Sequence, residues 1–223
     1  MRQQQLLRVI LSANLMCLPI VASGQVKSPA PPQQRSTDWL NNTFTVFGDM
    51  SVANASLYGA SFDRRLSWFG ARYTRTLFRT RLFAFNYTPE IIPIVILSQP
   101  AIGDFAVSAK SPFTHTRFSY GAGVNPVGAE FVFLPRSRVQ PFIGTTEGFL
   151  YFNRNVPSAF AAQFNFSIAV GAGLQMNLGG SKGLDFGYFF HHFSNDFQAQ
   201  ENPGLDSHMI RFGYTFTFHK KSQ

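Results

Sequence analysis

Alternation with a period of two, repeated through most of the chain, is the feature that most narrows what this sequence can fold into. In residues 165–178 the even positions Phe166, Ile168, Val170, Leu174, Met176 and Leu178 oppose Asn165, Ser167, Gly171, Gly173, Gln175 and Asn177. Successive side chains of a strand point to opposite faces, so one face is apolar and the other small or polar. Phe83, Phe85 and Tyr87 likewise oppose Asn86, Thr88 and Glu90, and Phe69, Ala71 and Tyr73 oppose Arg72 and Thr74. Parity is ambiguous in 139–152, where Glu147 and the pair Gly144 and Gly148 fall on opposite faces. The pattern predicts eight strands, at about 43–49, 65–74, 82–97, 117–134, 138–152, 162–178, 183–194 and 207–218.

A β-sandwich would also alternate, but it hides its apolar faces and covers the outside with charge. Here charged residues make up 13% of the chain and aromatics 16%, with 26 Phe, against about 25% charged in an ordinary soluble domain. The faces opposite the aromatics carry Gly, Ser, Thr, Asn and a few ions, which suits a narrow lumen. We therefore expect an all-β fold: an eight-stranded antiparallel transmembrane β-barrel of the outer membrane, its interior filled by side chains, with Arg72, Glu90 and Arg211 pairing inside and no pore. No apolar segment beyond the N-terminus has the length of a spanning helix, since the longest aliphatic run, 91–97, contains Pro93. The formal charge of +8 is scattered and lacks the dense basic face of a nucleic-acid binder. No nucleic-acid partner is expected, and attraction to anionic lipid head groups is the better use of that charge.

Residues 1–24 read as a secretory signal peptide: Arg2 and Arg8 precede an apolar run, and Ala22, Ser23 and Gly24 are small residues ahead of a cut at Gln25. Residues 25–36, rich in Pro and Gln, read as a flexible lead-in, and 37–223 as a single barrel domain. Cys17, the one cysteine, leaves with the leader, so no disulfide or cysteine metal site is expected. No His or carboxylate cluster has metal spacing, and no cofactor is predicted. Long joins at about 50–64, 98–116, 153–161 and 195–206 alternate with short ones such as 135–137 and 179–182. Outer-membrane barrels have long extracellular loops and short periplasmic turns.

The chemistry concentrates in 184–218. Leu184, Phe186, Tyr188 and Phe190 share a face with His192 and Ser194, whereas Asp185, Gly187 and His191 point the other way. In the last strand Ile210, Phe212, Tyr214, Phe216 and Phe218 are apolar, and counting back by two reaches His208 and then Asp206. Parity thus brings a histidine, a serine and an aspartate onto the lipid-facing side near the long-loop rim. A neutral imidazole can take the proton of a serine hydroxyl, and a carboxylate behind it fixes its tautomer. His208 reads as an interfacial residue and His191 as a structural one. Asn202, Pro203 and Gly204 supply the turn that returns the acid.

The segment His192-Phe193-Ser194-Asn195, followed by 202–207, resembles the lipid A 3-O-deacylase family of outer-membrane barrels, also called acyloxyacyl hydrolases. Residues 121–128, 139–142 and 164–166 are similar to internal landmarks of that family, so the likeness spans about 60–218. It implies an ester hydrolase that removes the 3-hydroxyacyl chain at position 3 of lipid A. His192, Ser194 and Asp206 would be its triad and Asn195 its oxyanion-hole residue, with lipopolysaccharide as the substrate. Where the prototype carries Glu, this chain carries the shorter Asp206. A homodimer is compatible with this reading. Two alternatives belong to other classes: an inactive structural or lipid-binding barrel, and a hydrolase of outer-membrane phospholipid.

Overall fold

The structure, a computed structural model, describes residues 42–102, 105–106, 115–179 and 181–217. The expected signal peptide and lead-in, and Phe218 with the tail after it, lie outside the described residues. The described residues contain ten strands: β1 (Asn42–Ala55), β2 (Arg65–Arg79), β3 (Phe83–Tyr87), β4 (Glu90–Ile102), β5 (Phe105–Ala106), β6 (His115–Phe133), β7 (Val139–Val156), β8 (Ala162–Gly179), β9 (Lys182–Ser194) and β10 (Leu205–Thr217). β3 and β4 both lie between β2 and β6 and form one stave of the wall. The stave is interrupted at Thr88 and Pro89, where proline has no N–H for the ladder. Pro93 coincides with a register shift between Ile92 and Val95. Among the described residues β5, a two-residue extension, pairs only with β4.

All pairings are antiparallel, and β1 bonds both β10 and β2, so the sheet closes into a barrel of eight staves, as the alternation predicts. Among the described residues each of the eight staves is paired on both sides. Outward positions are apolar and exposed, among them Tyr188 at 48% and Phe212 at 63%. Such a wall is suited to hydrocarbon and unsuited to water. Even-numbered residues of β7 from Phe142 to Phe152 turn inward, which resolves its parity and places Glu147 on the outer face.

Two layers fill the interior. Towards the long-loop end Leu66, Leu97, Leu150, Phe152, Phe193 and Met209 are buried together. Below them lies an ionic network. The Arg211 guanidinium donates to Asp49 Oδ1 and Oδ2 and, at 2.5 Å, to Glu90 Oε1. Its Cζ sits 4.0 Å from the Phe47 ring centroid and 4.7 Å from that of Phe189. Arg72 departs from expectation: although Glu90 is its cross-strand neighbour, its ion pairs go to Asp185 and Glu130. Glu90 is occupied by Arg211 and by Asn125 Nδ2 at 2.9 Å. Each buried carboxylate thus meets a cation or an amide, which is the condition for ions to survive away from water.

The joins at 56–64, 157–161 and 195–204 gather at one end of the barrel, and the short turns 80–82 and 134–138, with the end of β8 and the start of β9, at the other. Hydrogen bonds stitch the long loops together: Ala60 N donates to Pro203 O, Glu201 N to Phe160 O and Arg64 Nη2 to Pro157 O.

Candidate active site

The register of β9 against β10 runs without a shift from Phe216↔Lys182 to Leu205↔Phe193, and Asp206 stands directly opposite His192. Asp206 thus belongs to β10 itself, and counting by two along the strand reaches it. Cross-strand neighbours on one face have Cβ atoms about 5 Å apart, close enough for an aspartate to reach an imidazole, and Asp206 Oδ1 lies 2.6 Å from His192 Nδ1. With Nδ1 donating to the carboxylate, Nε2 is the ring nitrogen left to accept a proton.

Ser194 follows two residues along β9 on the same outward face, opposite Phe166 of β8. Residues i and i+2 of a strand are about 7 Å apart at the backbone. Among the described residues no hydrogen bond joins the His192 ring to the Ser194 hydroxyl, so a side-chain rotation must close that gap. Phe166 packs with Phe149 and Phe164 at centroid distances of 5.5 and 5.4 Å, placing an aromatic surface beside the hydroxyl.

The site is on the outer wall, yet it is roofed. His192, Ser194 and Asp206 are 6%, 4% and 0% exposed, because loops 56–64 and 195–204 fold over them. The Tyr58 ring meets the His192 ring edge-on at 5.7 Å. The backbone N–H groups of Leu57 and Tyr58 both donate to Asp206 Oδ2 at 2.7 Å, while Oδ1 serves the histidine. One carboxylate is thus clamped on both oxygens, its lone pairs directed by backbone that cannot rotate away. A glycine is needed next to this clamp: a Cβ on Gly59 would come 2.8 Å from Asp206 N and 3.0 Å from Leu205 Cα. Gly204, at φ +59°, occupies the left-handed region, and its Cβ would press on His192 Cε1 at 3.0 Å. Residue types gave no sign of Leu57, Tyr58 and Gly59, because a backbone amide has no side-chain signature. Gly59→Ala should push the loop off β10 and lower the rate of the site by about tenfold to a hundredfold with the barrel intact, measured as turnover per folded molecule.

Asn195 is buried at the head of the loop. Its Nδ2 donates to Glu201 O at 2.7 Å and its backbone N–H to Asn202 Oδ1 at 3.0 Å, so it braces the loop and keeps one amide hydrogen uncommitted. His191 lies inside the barrel, with Nε2 2.9 Å from Ser167 Oγ and its ring edge-on to Trp68 at 4.8 Å. His208 remains on the outer face, Nδ1 2.5 Å from the Tyr188 hydroxyl. Adjacent histidines therefore point to opposite sides of one sheet.

A family model described as "Lipid A 3-O-deacylase (PagL)" matches residues 97–215. The chain belongs to this family. The deacylase match runs from β4 through β10 and contains His192, Ser194, Asn195 and Asp206, whereas the Leu57–Tyr58 clamp falls before it. Similar solved structures include the outer membrane enzyme PagL, at 14% identity and a TM-score of 0.49 over 77% of this chain and 97% of that one. Neisserial surface protein A gives 14% and 0.43 over 79% and 97%, and OprG from Pseudomonas aeruginosa 9% and 0.47 over 81% and 97%. No curated protein sequence matches significantly. Membership makes the chain a lipid A deacylase of the bacterial outer membrane.

Proposed function

We propose that this deacylase is a serine esterase that removes the 3-hydroxyacyl chain ester-linked at position 3 of lipid A. His192, Ser194 and Asp206 form its triad, and the long-loop end faces outward from the cell. The observation that carries this reading is the 2.6 Å contact between Asp206 Oδ1 and His192 Nδ1 on the lipid-facing side, with a serine two positions along. Long loops at one end and short turns at the other match the extracellular and periplasmic ends of outer-membrane barrels. That orientation sets the triad at the level of outer-leaflet lipid.

In the first step His192 Nε2 takes the Ser194 proton as Oγ attacks the ester carbonyl. The tetrahedral oxyanion needs donors, and the uncommitted amide hydrogen of Asn195 is the candidate this chain offers. The imidazolium, held by Asp206, protonates the departing sugar oxygen, which leaves an acyl-Ser194 ester. Water, deprotonated by the same nitrogen, then releases the fatty acid and restores the serine. Phe149, Phe164 and Phe166 offer apolar contact to the acyl chain beside the nucleophile.

Mass spectra of lipid A from cells with and without the protein test this. The expected result is loss of one 3-hydroxyacyl group, with the position-3 hydroxyl freed. Unchanged lipid A together with lysophospholipid would assign the esterase to phospholipid, and an unchanged lipidome would leave a barrel without turnover.

A further inference from the structure

We propose that the short-turn end of the barrel carries a binding site for the head group of an anionic phospholipid, in the cleft between turns 80–82 and 134–138. Thr80, Arg81, Leu82 and Phe83 line one side of this cleft and Arg136 the other. The continuing groove passes Arg138 to Asn177 and Gly179. The two turns are tied together, Leu134 N donating to Leu82 O at 2.7 Å. Each turn is also braced within itself: Thr80 Oγ1 accepts from Phe83 N at 3.0 Å, and Ser137 N donates to Leu134 O at 2.8 Å. The arginines thus project from a preformed frame.

Their charge is uncompensated. Among the described residues Arg79, Arg81, Arg136 and Arg138 have no carboxylate partner. Glu90, Glu130 and Asp185 are turned into the lumen and buried, Glu147 faces outward midway along β7, and Asp63, Asp196 and Glu201 belong to the other end. Gathering like charges in two touching turns opposes folding unless an anion comes between them. Planar guanidinium forks suit phosphate oxygens.

The surroundings decide which phosphate. Leu77, Phe78, Leu82, Phe133 and Leu134 are exposed beside the cleft. Phe78, Phe83, Phe131 and Phe133 form a contiguous aromatic cluster, with successive centroids 5.8, 5.0 and 5.1 Å apart. Aromatics of this kind mark the membrane interface. A ligand at this level meets cations at its head and apolar wall along its length, which fits a phospholipid and fits neither free phosphate nor an acidic peptide. With the orientation argued above, the lipid would come from the inner leaflet, but binding itself does not depend on that orientation or on the deacylase reading.

The test is native mass spectrometry of the folded barrel released from micelles containing equal amounts of dioleoylphosphatidylglycerol and dioleoylphosphatidylcholine. Phosphatidylglycerol adducts should predominate. Each neutralised arginine should weaken them by about fivefold, so the double variant Arg81→Gln/Arg136→Gln should lose the preference while Arg154→Gln, at the opposite end, keeps it. Should the double variant not fold, Arg136→Gln alone takes its place. Sodium chloride at about 0.5 M should also erase the preference in the unaltered protein. Equal retention of the two lipids, undiminished phosphatidylglycerol adducts in the variants, or equal binding of glycerol 3-phosphate would overturn the proposal.

Discussion

Ser194→Ala and His192→Ala should each reduce deacylation by a factor on the order of ten thousand or more, with the barrel still folded. Members of a nucleophile–base unit lose most of the rate when either goes, so the two deficits should be nearly equal and the double variant little worse than either. Asp206→Ala should retain a small residual activity, since the acid orients and stabilises the imidazole without meeting the substrate. It also frees the Leu57 and Tyr58 amides from Oδ2; Asp206→Asn, whose oxygen can stay in that clamp while its N–H turns towards His192 Nδ1 and favours the wrong tautomer, should be no more active. His191→Ala is the internal control. It removes a buried ring packed on Trp68 and bonded to Ser167, so it should lower the unfolding temperature and leave turnover per folded barrel unchanged. Release of 3-hydroxy fatty acid from purified lipopolysaccharide, normalised to the heat-resistant folded band, checks all of these. Full activity in Ser194→Ala, or loss in His191→Ala alone, would place the chemistry on the wrong side of the wall.

Arg211→Met should be the most damaging substitution for stability, at about 3–5 kcal/mol. The guanidinium makes bonds to both Asp49 and Glu90 and lies between the Phe47 and Phe189 rings. Methionine has a similar length and retains the ring contacts, but it leaves two carboxylates 4% and 2% exposed without their main cation. Among the described residues Asp49 would keep only the Trp68 indole N–H, and Glu90 only the Asn125 amide. His192, Ser194 and Asp206 are not touched, so activity per folded molecule should survive. Urea titration of the refolded barrel, followed by the mobility shift on unheated gels, reads the loss. Replacing Asp49, Glu90 and Arg211 together by apolar residues should recover part of it, since an absent buried ion network costs less than a broken one.

The number of staves, the sidedness of the wall and the face shared by His192, Ser194 and Asp206 were all legible in the sequence, because a period of two needs no tertiary information. Lipid outside and a narrow lumen inside divide residue types so sharply that Phe186 and Asp185, or His192 and His191, declare their faces by parity. Asp206 could be reached by counting because β10 keeps its register past His208. Residues 139–152 resisted, since outward Glu147 breaks the pattern by residue type although the backbone does not break. Strand ends were less legible too: β1 extends to Ala55, well beyond 49, because pairing with β10 sustains a strand whose side chains alone do not require one.

By itself, then, the sequence determined the barrel, its apolar exterior and the face on which His192, Ser194 and Asp206 lie, all consequences of alternation along single strands. Only the tertiary structure decided the partners. Arg72 turns to Asp185 and Glu130 because Arg211 holds Glu90, a choice among several lumenal ions that closure brings within reach at once. The clamp on Asp206 likewise comes from main-chain amides of a loop some 150 residues earlier. Backbone donors are common to every residue type, so only the path of the chain brings them to the acid.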